Sequence, residues 1–184
     1  LDTRVPLAAE LGKAESLYQQ GIVLQKSLYD AVQAGTPFDD FVPTEFARTL
    51  VGSLDRNPDA LLLLSRIREK DTYLLEHSLN VGILSAHFAR SLGMSQPEIE
   101  AAAYSGLLHD LGKIKIPDDI LHKPGRLTDT EMDVMKKHVE YGVEFLSAMK
   151  LDAGLIKVVS EHHERLDGLG YPYRLSGEDI SYNG

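Results

Sequence analysis

Hydrophobic residues in the first part of the chain recur at intervals of three and four. From Leu11 to Val32 they fall on one face of a helix with 3.6 residues per turn, and Gly35 follows as a C-terminal stop. The positions on this face are Leu11, Ala14, Leu17, Tyr18, Gly21, Leu24, Leu28 and Val32. The pattern predicts one long amphipathic helix.

Capping residues predict further helices along the rest of the chain, whereas strand alternation is scarce. The loop from Gly168 to Gly177 is too rich in glycine and proline for regular structure. The predicted helix starts are Pro43, Asn57-Pro58, Asp71, Ser95-x-x-Glu98, Thr128-x-x-Glu131 and Asp152, and the predicted ends include Leu54, Gly93, His109-Asp110 and His163. The predicted fold class is all-α, a multi-helix bundle.

The distribution of ligand-type side chains suggests how the chain is organised. Its 184 residues suit one domain of ordinary size. Residues 1–68 lack clusters of histidine and carboxylate, so we predict a helical lead-in there and the functional domain over residues 69–184. The chain begins at Leu1 and ends in a turn-like segment at Ser181–Gly184, so we expect it to be a piece of a longer protein.

The charge balance narrows the class of partner. Nineteen basic residues against 28 acidic ones give a net charge of −9, which argues against binding to a nucleic-acid polymer. A small anionic ligand is still compatible where metals and a few lysines reverse the field locally. The absence of cysteine excludes disulfides and thiolate zinc sites. With no membrane span and no secretory signal, we expect a cytoplasmic protein.

The first candidate site is the pair His109-Asp110, followed by Gly112 and Lys113. Imidazole and carboxylate are ligands that divalent metals such as Fe, Mn and Zn accept. Adjacent side chains at a helix end point about 100° apart, so both can reach one metal, and a carboxylate can bridge two cations. The alternative is that Asp110 and Gly112 only terminate a helix and that His109 is a core histidine.

The second candidate site follows the last predicted helix. His162-His163-Glu164 stands directly before the string Asp167-Gly168-Leu169-Gly170-Tyr171-Pro172. Two neighbouring imidazoles beside a loop that needs specific turns indicate ligands. The alternative is a solvated helix end at which the histidines complement the helix dipole.

His77 and His138 are weaker candidates, because a lone histidine on an apolar helix face is more often a core residue. Both have apolar neighbours at helical spacing, which suits core packing and ligation equally. Only their occurrence together with the His109-Asp110 and His162-His163 motifs favours a ligand role for them. His87 and His122 have no comparable support.

Taken together, the candidate ligands are more than one metal requires, so they indicate a two-metal centre and hydrolysis of a phosphate ester. The set comprises His77, His109, Asp110, His138, His162 and His163. Several cations follow the His-Asp pair, and we interpret Lys115 and Arg126 as solvated. Lys113 differs because it lies three residues after Asp110, which ties it to the site.

These motifs together resemble the HD-GYP family, a subgroup of the HD phosphohydrolases. The resemblance covers about residues 70–184. It implies an all-α bundle around a two- or three-metal centre, usually of iron or manganese, and hydrolysis of the bacterial messenger cyclic di-GMP to pGpG, in some members onward to GMP. Zinc or nickel would suit the same ligand types. The resemblance also implies that the domain of residues 69–184 lacks the family's C-terminal part.

The resemblance also implies a role for each matched residue. His77, His109 and Asp110 would hold one metal, and Asp110 would bridge to a second metal held by His138, His162 and His163. Asp110 and Lys113 would be catalytic, with Lys113 on the scissile phosphate. The substrate-binding residues would be Lys113, Gly170, Tyr171 and Pro172.

The chain departs from the family pattern at three places. A further aspartate ligand lies on a following helix in the family, beyond Gly184 of this chain. Tyr73 occupies the position where three-metal members carry glutamate, which favours two metals. Tyr173-Arg174 replaces a basic-then-glycine pair after the Gly-Tyr-Pro string.

Other functions are compatible with the same motifs. One is a catalytically weak module that senses cyclic di-GMP, or that docks other signalling domains through the Gly-Tyr-Pro loop. Another is an HD-type hydrolase for a different nucleotide. A homodimer is a further expectation that the sequence leaves open.

Overall fold

The computed structural model describes residues 4–66 and 73–181 of the chain. Within these ranges it contains eight α-helices and no β-strand, apart from an isolated bridge between Asp167 and Ser176, which confirms the predicted all-α class. The α-helices are α1 (Leu7–Ala34), α2 (Phe41–Arg56), α3 (Pro58–Leu64), α4 (Tyr73–Ser91), α5 (Gln96–Leu108), α6 (Asp118–Leu121), α7 (Asp129–Ala148) and α8 (Ala153–Glu161). Two 3₁₀ helices cover Leu111–Lys115 and Gly177–Asp179.

Several helix ends confirm the capping predictions. Gly35 has a φ of +67° directly after α1, a backbone conformation that glycine adopts without steric cost. Thr128 and Glu131 form a complete capping box at the start of α7. Asp152 accepts a hydrogen bond of 3.0 Å from the backbone N–H of Leu155 at the start of α8.

Other predicted boundaries differ from the structure. Helix α2 begins at Phe41, so Pro43 is its third residue rather than its first. That position tolerates proline because the first four N–H groups of a helix have no partner within the helix. Helix α5 ends at Leu108, so His109 and Asp110 lie in a turn after the helix and not on it. The predicted N-cap Asp71 lies outside the described residues.

The chain divides into two compact units. The first comprises residues 1–28 and 38–107, and the second comprises residues 29–37 and 108–184. The boundary predicted at residues 68–69 falls outside the described residues and stays a prediction.

The first unit is built on one apolar core. The hydrophobic face predicted for α1 contributes to it, with Ala14 fully buried and Leu17 and Tyr18 almost so. The other helices of this unit add the buried side chains Leu50, Leu54, Leu61, Leu79, Ile83 and Leu107. Burial of such side chains is the main favourable term in folding.

A buried carboxylate ties α1 to α2 in the same unit. Glu10 is fully buried and accepts two hydrogen bonds, of 2.8 and 2.7 Å, from the guanidinium group of Arg56, and a third of 2.9 Å from Ser53. The Arg56 hydrogen bond is the main cause of a lowered pKa for Glu10, and burial opposes it.

The second unit places α7 against α8 and against the 3₁₀ helix Leu111–Lys115. Its buried apolar side chains include Leu108, Leu111, Val139, Leu146, Leu155 and Val159. This packing surrounds the fully buried His138 and the almost fully buried Asp110, so two polar side chains lie inside an apolar layer. Buried polar groups of this kind need compensating partners.

Candidate metal centre

Four side chains of the second unit converge on one point. Asp110 comes from the turn after α5, His138 from α7, and His162 and His163 from the two residues after α8. One ligand atom from each lies within 4.8 Å of the others. We call these four residues the ligand cluster.

Close backbone packing brings Asp110 to His138. A Cβ atom on Gly112 would lie 1.9 Å from the carbonyl oxygen of His138 and 2.6 Å from the backbone nitrogen of Gly142. Only glycine therefore fits where the 3₁₀ helix crosses α7. The glycine of the His-Asp-x-Gly-Lys string is a packing residue that allows the two ligands to meet.

Hydrogen bonds fix the rings of His138 and His162. Nδ1 of His138 lies 2.7 Å from the carbonyl oxygen of Met135, and Nδ1 of His162 lies 2.6 Å from that of Val159. A carbonyl oxygen only accepts, so each Nδ1 carries the proton. In a neutral ring the other nitrogen, Nε2, then has a free lone pair.

These lone pairs face each other and a carboxylate. The Nε2 atoms of His138 and His162 are 3.4 Å apart, and they lie 3.3 and 3.6 Å from Oδ1 of Asp110. When both rings are neutral, these acceptor nitrogens cannot hydrogen-bond to each other, nor can either donate to the carboxylate. A divalent cation among them would satisfy all three atoms, and imidazole and carboxylate suit such a cation. The residues present fit a metal.

His163 adds a third nitrogen of the same kind. Burial, followed by the neighbouring His162 and His138, lowers the pKa of the His163 imidazole to about 3. The ring is therefore neutral near pH 7 and keeps the lone pair that a ligand needs.

The second oxygen of Asp110 faces two other residues of the string. Lys113 Nζ is 2.7 Å from Oδ2 of Asp110, and Nε2 of His109 is 3.1 Å from the same oxygen. Asp110 is thus turned towards His138 and His162 with one oxygen and towards His109 and Lys113 with the other. A carboxylate with its two oxygens on different sets of residues is compatible with bridging, which stays a prediction for Asp110.

The loop of residues 164–175 folds back onto His163. The backbone N–H of Tyr171 donates to the carbonyl oxygen of His163 at 3.1 Å, and the Tyr171 ring stacks on the imidazole with 4.5 Å between ring centroids. A Cβ atom on Gly170 would lie 2.5 Å from the backbone nitrogen of Arg165, so this loop also depends on a close approach that only glycine permits. The peptide bond between Tyr171 and Pro172 is cis.

The three residues predicted to bind substrate, Gly170, Tyr171 and Pro172, line one cavity. It has a volume of about 480 Å³ and lies between α7 and the loop, with Lys137 and Arg174 also on its wall. This volume is within the usual range for small-molecule sites, about 300–1,000 Å³. Substrate contact at these residues stays a prediction.

Comparison with known proteins agrees with this geometry. Residues 62–184 match a protein-family model described as the HD domain. The chain belongs to the HD-domain family.

Curated relatives of this HD-domain protein carry phosphodiesterase names. The chain is 36% identical over 179 residues to a cyclic di-GMP phosphodiesterase of Pseudomonas aeruginosa, and the alignment covers 97% of this chain and 43% of the relative. It is also 44% identical over 112 residues to a 3′3′-cGAMP-specific phosphodiesterase of Vibrio cholerae, covering 59% of this chain and 21% of that protein. The chain thus spans less than half the length of these two relatives.

A solved structure has the same fold. The HDG"Y"P protein from Bdellovibrio bacteriovorus superposes with a TM-score of 0.78 at 21% identity, over 94% of this chain and 56% of that chain. The HD-GYP resemblance drawn from the motifs is confirmed. HD-domain phosphohydrolases depend on metals, and the ligand cluster is a site that could bind one.

The other predicted residues lie as follows. His77 is half-buried on α4 in the first unit, where its ring stacks on Tyr73 with 6.1 Å between centroids, and its part in the centre stays a prediction. His122 is exposed and lies 3.8 Å from the Asp118 carboxylate. His87 lies on α4 with its Nδ1 buried.

Sequence reasoning missed three residues that support the site. The Tyr29 hydroxyl donates to the carbonyl oxygen of Asp110 at 3.3 Å. The Glu164 carboxylate accepts from two backbone N–H groups of the loop. The buried Glu161 accepts from the backbone N–H of Ser181 at 2.8 Å. Only Glu164 was visible as part of a motif, and no local pattern marks the other two.

In residues 4–66 and 73–181, no helix is long and apolar enough to cross a membrane.

Proposed function

We propose that this chain is the catalytic region of a metal-dependent phosphodiesterase that hydrolyses cyclic di-GMP to pGpG and onward to GMP. The observation that carries the proposal is the convergence of the Nε2 atoms of His138 and His162 on the Asp110 carboxylate. The substrate class is supported by the relatives that are cyclic di-GMP phosphodiesterases by name. As part of the proposal, residues 69–184 form the HD-GYP domain, residues 1–68 its helical lead-in, and the protein is cytoplasmic.

The proposed cofactors are two divalent metals, most simply iron or manganese. His138, His162 and His163 would hold one and His77 and His109 the other, with Asp110 shared between them. Metals at such a centre supply Lewis-acid activation of water and of the phosphoryl group. The side chains of the protein would hold these metals and stabilise the charge that develops during hydrolysis.

Lys113 is the proposed electrostatic partner of the scissile phosphate. Its ammonium group lies 2.7 Å from Asp110, and its side chain is mostly buried, with 20% exposed. A cation held in a partly desolvated position interacts more strongly with developing negative charge than one in water. Lys113 would therefore neutralise charge that grows on the phosphoryl oxygens as the ester bond breaks.

The fixed tautomers of His138 and His162 serve the same reaction. Because each Nδ1 donates to a backbone carbonyl, each Nε2 presents its lone pair inwards without a change of tautomer or ring rotation. The site would therefore be organised before substrate arrives, which lowers the reorganisation that the reaction requires.

The direct test is hydrolysis by the full-length protein, loaded separately with Fe²⁺ and Mn²⁺. Cyclic di-GMP, 3′3′-cGAMP and linear pGpG would be supplied in parallel and the products separated by chromatography. We expect cyclic di-GMP to be consumed and pGpG to appear first. Cleavage of 3′3′-cGAMP but not of cyclic di-GMP would support the proposed phosphodiester hydrolysis and would identify 3′3′-cGAMP, not cyclic di-GMP, as the substrate.

The rival function is a docking or sensing module. One observation on the loop favours docking: Leu166, Leu169 and Tyr173 expose 78%, 76% and 58% of their surface, and exposed apolar side chains that lie together mark interaction sites. In the same assay, metal-loaded protein that binds cyclic di-GMP but leaves it intact over many hours would favour the sensor and contradict the enzyme.

A further inference from the structure

His163 differs from the other imidazoles of the ligand cluster in what holds its ring. His138 and His162 each donate from Nδ1 to the carbonyl oxygen three residues earlier. The His163 imidazole, by contrast, makes no hydrogen bond to any residue within 4–66 and 73–181. A ligating histidine usually donates its second N–H to a carbonyl or carboxylate, and this bond sets the plane of the ring. For His163 another contact must set that plane.

The Tyr171 ring makes that contact. The planes of the two rings are 20° apart and their centroids 4.5 Å apart, so the phenol ring covers one face of the imidazole. The His138 ring meets His163 nearly at right angles, with 5.1 Å between centroids. The Tyr171 hydroxyl makes no hydrogen bond to the described residues, so the ring provides the contact and the oxygen does not.

Two carboxylates that flank the histidine pair in sequence hold the loop in place. Glu164 accepts hydrogen bonds of 2.7 Å from the backbone N–H of Tyr173 and 2.9 Å from that of Leu175. Glu161, which is 2% exposed, accepts from the backbone N–H of Ser181. The segment that carries Tyr171 is therefore hydrogen-bonded to the residue immediately before the two ligands and to the residue immediately after them.

We propose that Tyr171 is a positioning residue, whose ring, held in place by the Glu164 carboxylate, sets the plane of the His163 imidazole towards the metal. The stacking takes the place of the hydrogen bond that orients His138 and His162. This inference rests on the proposed metal centre, and it gives Tyr171 a task other than the predicted contact with substrate.

The test measures metal binding by the full chain in the absence of substrate, with Co²⁺ as the probe. The visible absorption of Co²⁺ reports the geometry of its ligands, and titration gives the affinity. Tyr171→Phe keeps the ring and removes only the hydroxyl, so we expect affinity within about two-fold of wild type and an unchanged spectrum. Tyr171→Leu removes the stacking, so we expect affinity to fall on the order of 10–100-fold, with a shifted spectrum.

Glu164→Gln supplies a second variant that leaves Tyr171 intact. An amide has one oxygen acceptor where the carboxylate has two, so one of the two backbone N–H groups loses its partner. We expect the same direction of change as for Tyr171→Leu, and Glu144→Gln at an exposed position of α7 is the matched control with no change. Thermal unfolding of the metal-free variants identifies any chain that has failed to fold.

The outcomes separate the inference from the proposed function. Folded Tyr171→Leu and Glu164→Gln chains with wild-type affinity and spectrum would overturn the positioning role and leave the metal centre intact. Weakened binding by Tyr171→Phe would overturn the role of the ring in favour of the hydroxyl. Wild-type chain that binds no Co²⁺ would overturn the metal centre, and the positioning role with it.

Discussion

Gly112 lies so close to His138 that a Cβ atom on the glycine would be 1.9 Å from the histidine's carbonyl oxygen. Real Cβ contacts essentially never fall below 3.0 Å. The neighbouring atoms are backbone, so they cannot swing away as the end of a side chain could. The distance between Asp110 and His138 therefore depends on the absence of a side chain two residues after the aspartate.

Gly112→Ala is expected to destabilise the second unit and to weaken metal binding together. Forcing a methyl group into a packed interior costs about 1–3 kcal/mol and occasionally more, and here the obstacle is rigid, so we expect about 3 kcal/mol or more. Urea unfolding of the metal-free chain and elemental analysis of the purified protein measure the two effects.

Gly142→Ala is the matched control for this change. A Cβ atom on Gly142 would have its nearest neighbour at 3.6 Å, an ordinary contact, and alanine is favoured over glycine in a helix by about 0.5–1 kcal/mol. We expect wild-type stability or better. Equal stability of both variants would show that the crossing at Gly112 is not tight.

Asp110→Ala is expected to remove both the metals and hydrolysis. The substitution deletes the only carboxylate in the ligand cluster and leaves three imidazoles without a compensating negative charge. Metal content and cyclic di-GMP turnover are the measurements. Asp118→Ala, at a carboxylate that is 96% exposed, is the control with unchanged values. Full activity of the Asp110 variant would refute the proposed centre.

Lys113→Ala is expected to keep the metals and slow hydrolysis. Loss of one positioned positive charge costs about 100-fold in kcat in comparable electrostatic roles. Steady-state kinetics and elemental analysis on the same preparation separate the two effects. Lys115→Ala tests an exposed neighbour whose ammonium group donates to the Gln33 carbonyl oxygen, and it should leave kcat unchanged. A Lys113 variant with wild-type kcat would exclude the lysine from the reaction.

Glu10→Gln is expected to destabilise the first unit by about 2 kcal/mol near pH 7, because it breaks charge-assisted hydrogen bonds to a buried group. The pKa of Glu10 is lowered in the folded chain, so its ionised form stabilises the fold above the usual value of 4.5. That contribution is lost as pH falls through the lower folded pKa.

The difference in unfolding free energy between wild type and Glu10→Gln should therefore shrink below about pH 4.5. Urea unfolding at several pH values measures it. Glu15→Gln, at an exposed position of α1, should change stability by less than about 0.5 kcal/mol at every pH. A difference that grows on acidification would contradict the ion pair.

The sequence by itself was enough for the helical class and most capping positions, and it singled out the candidate ligands, whose roles stay predictions. These features are local: the apolar face of α1 follows from spacing along one helix, and the Thr128–Glu131 box from residues within one turn. The His-Asp and His-His pairs could be recognised from the sequence because the two candidate ligands of each pair are adjacent residues.

The tertiary structure decided which side chains meet and how each is held. His138 looked equally suited to core packing and ligation, and its place beside Asp110 follows from the approach of two backbones at Gly112. Tyr29, Glu161 and Glu164 act through partners far along the chain or across a loop, so no periodicity marks them. Tautomers depend on which carbonyl each ring reaches, and that is fixed only when the chain has folded.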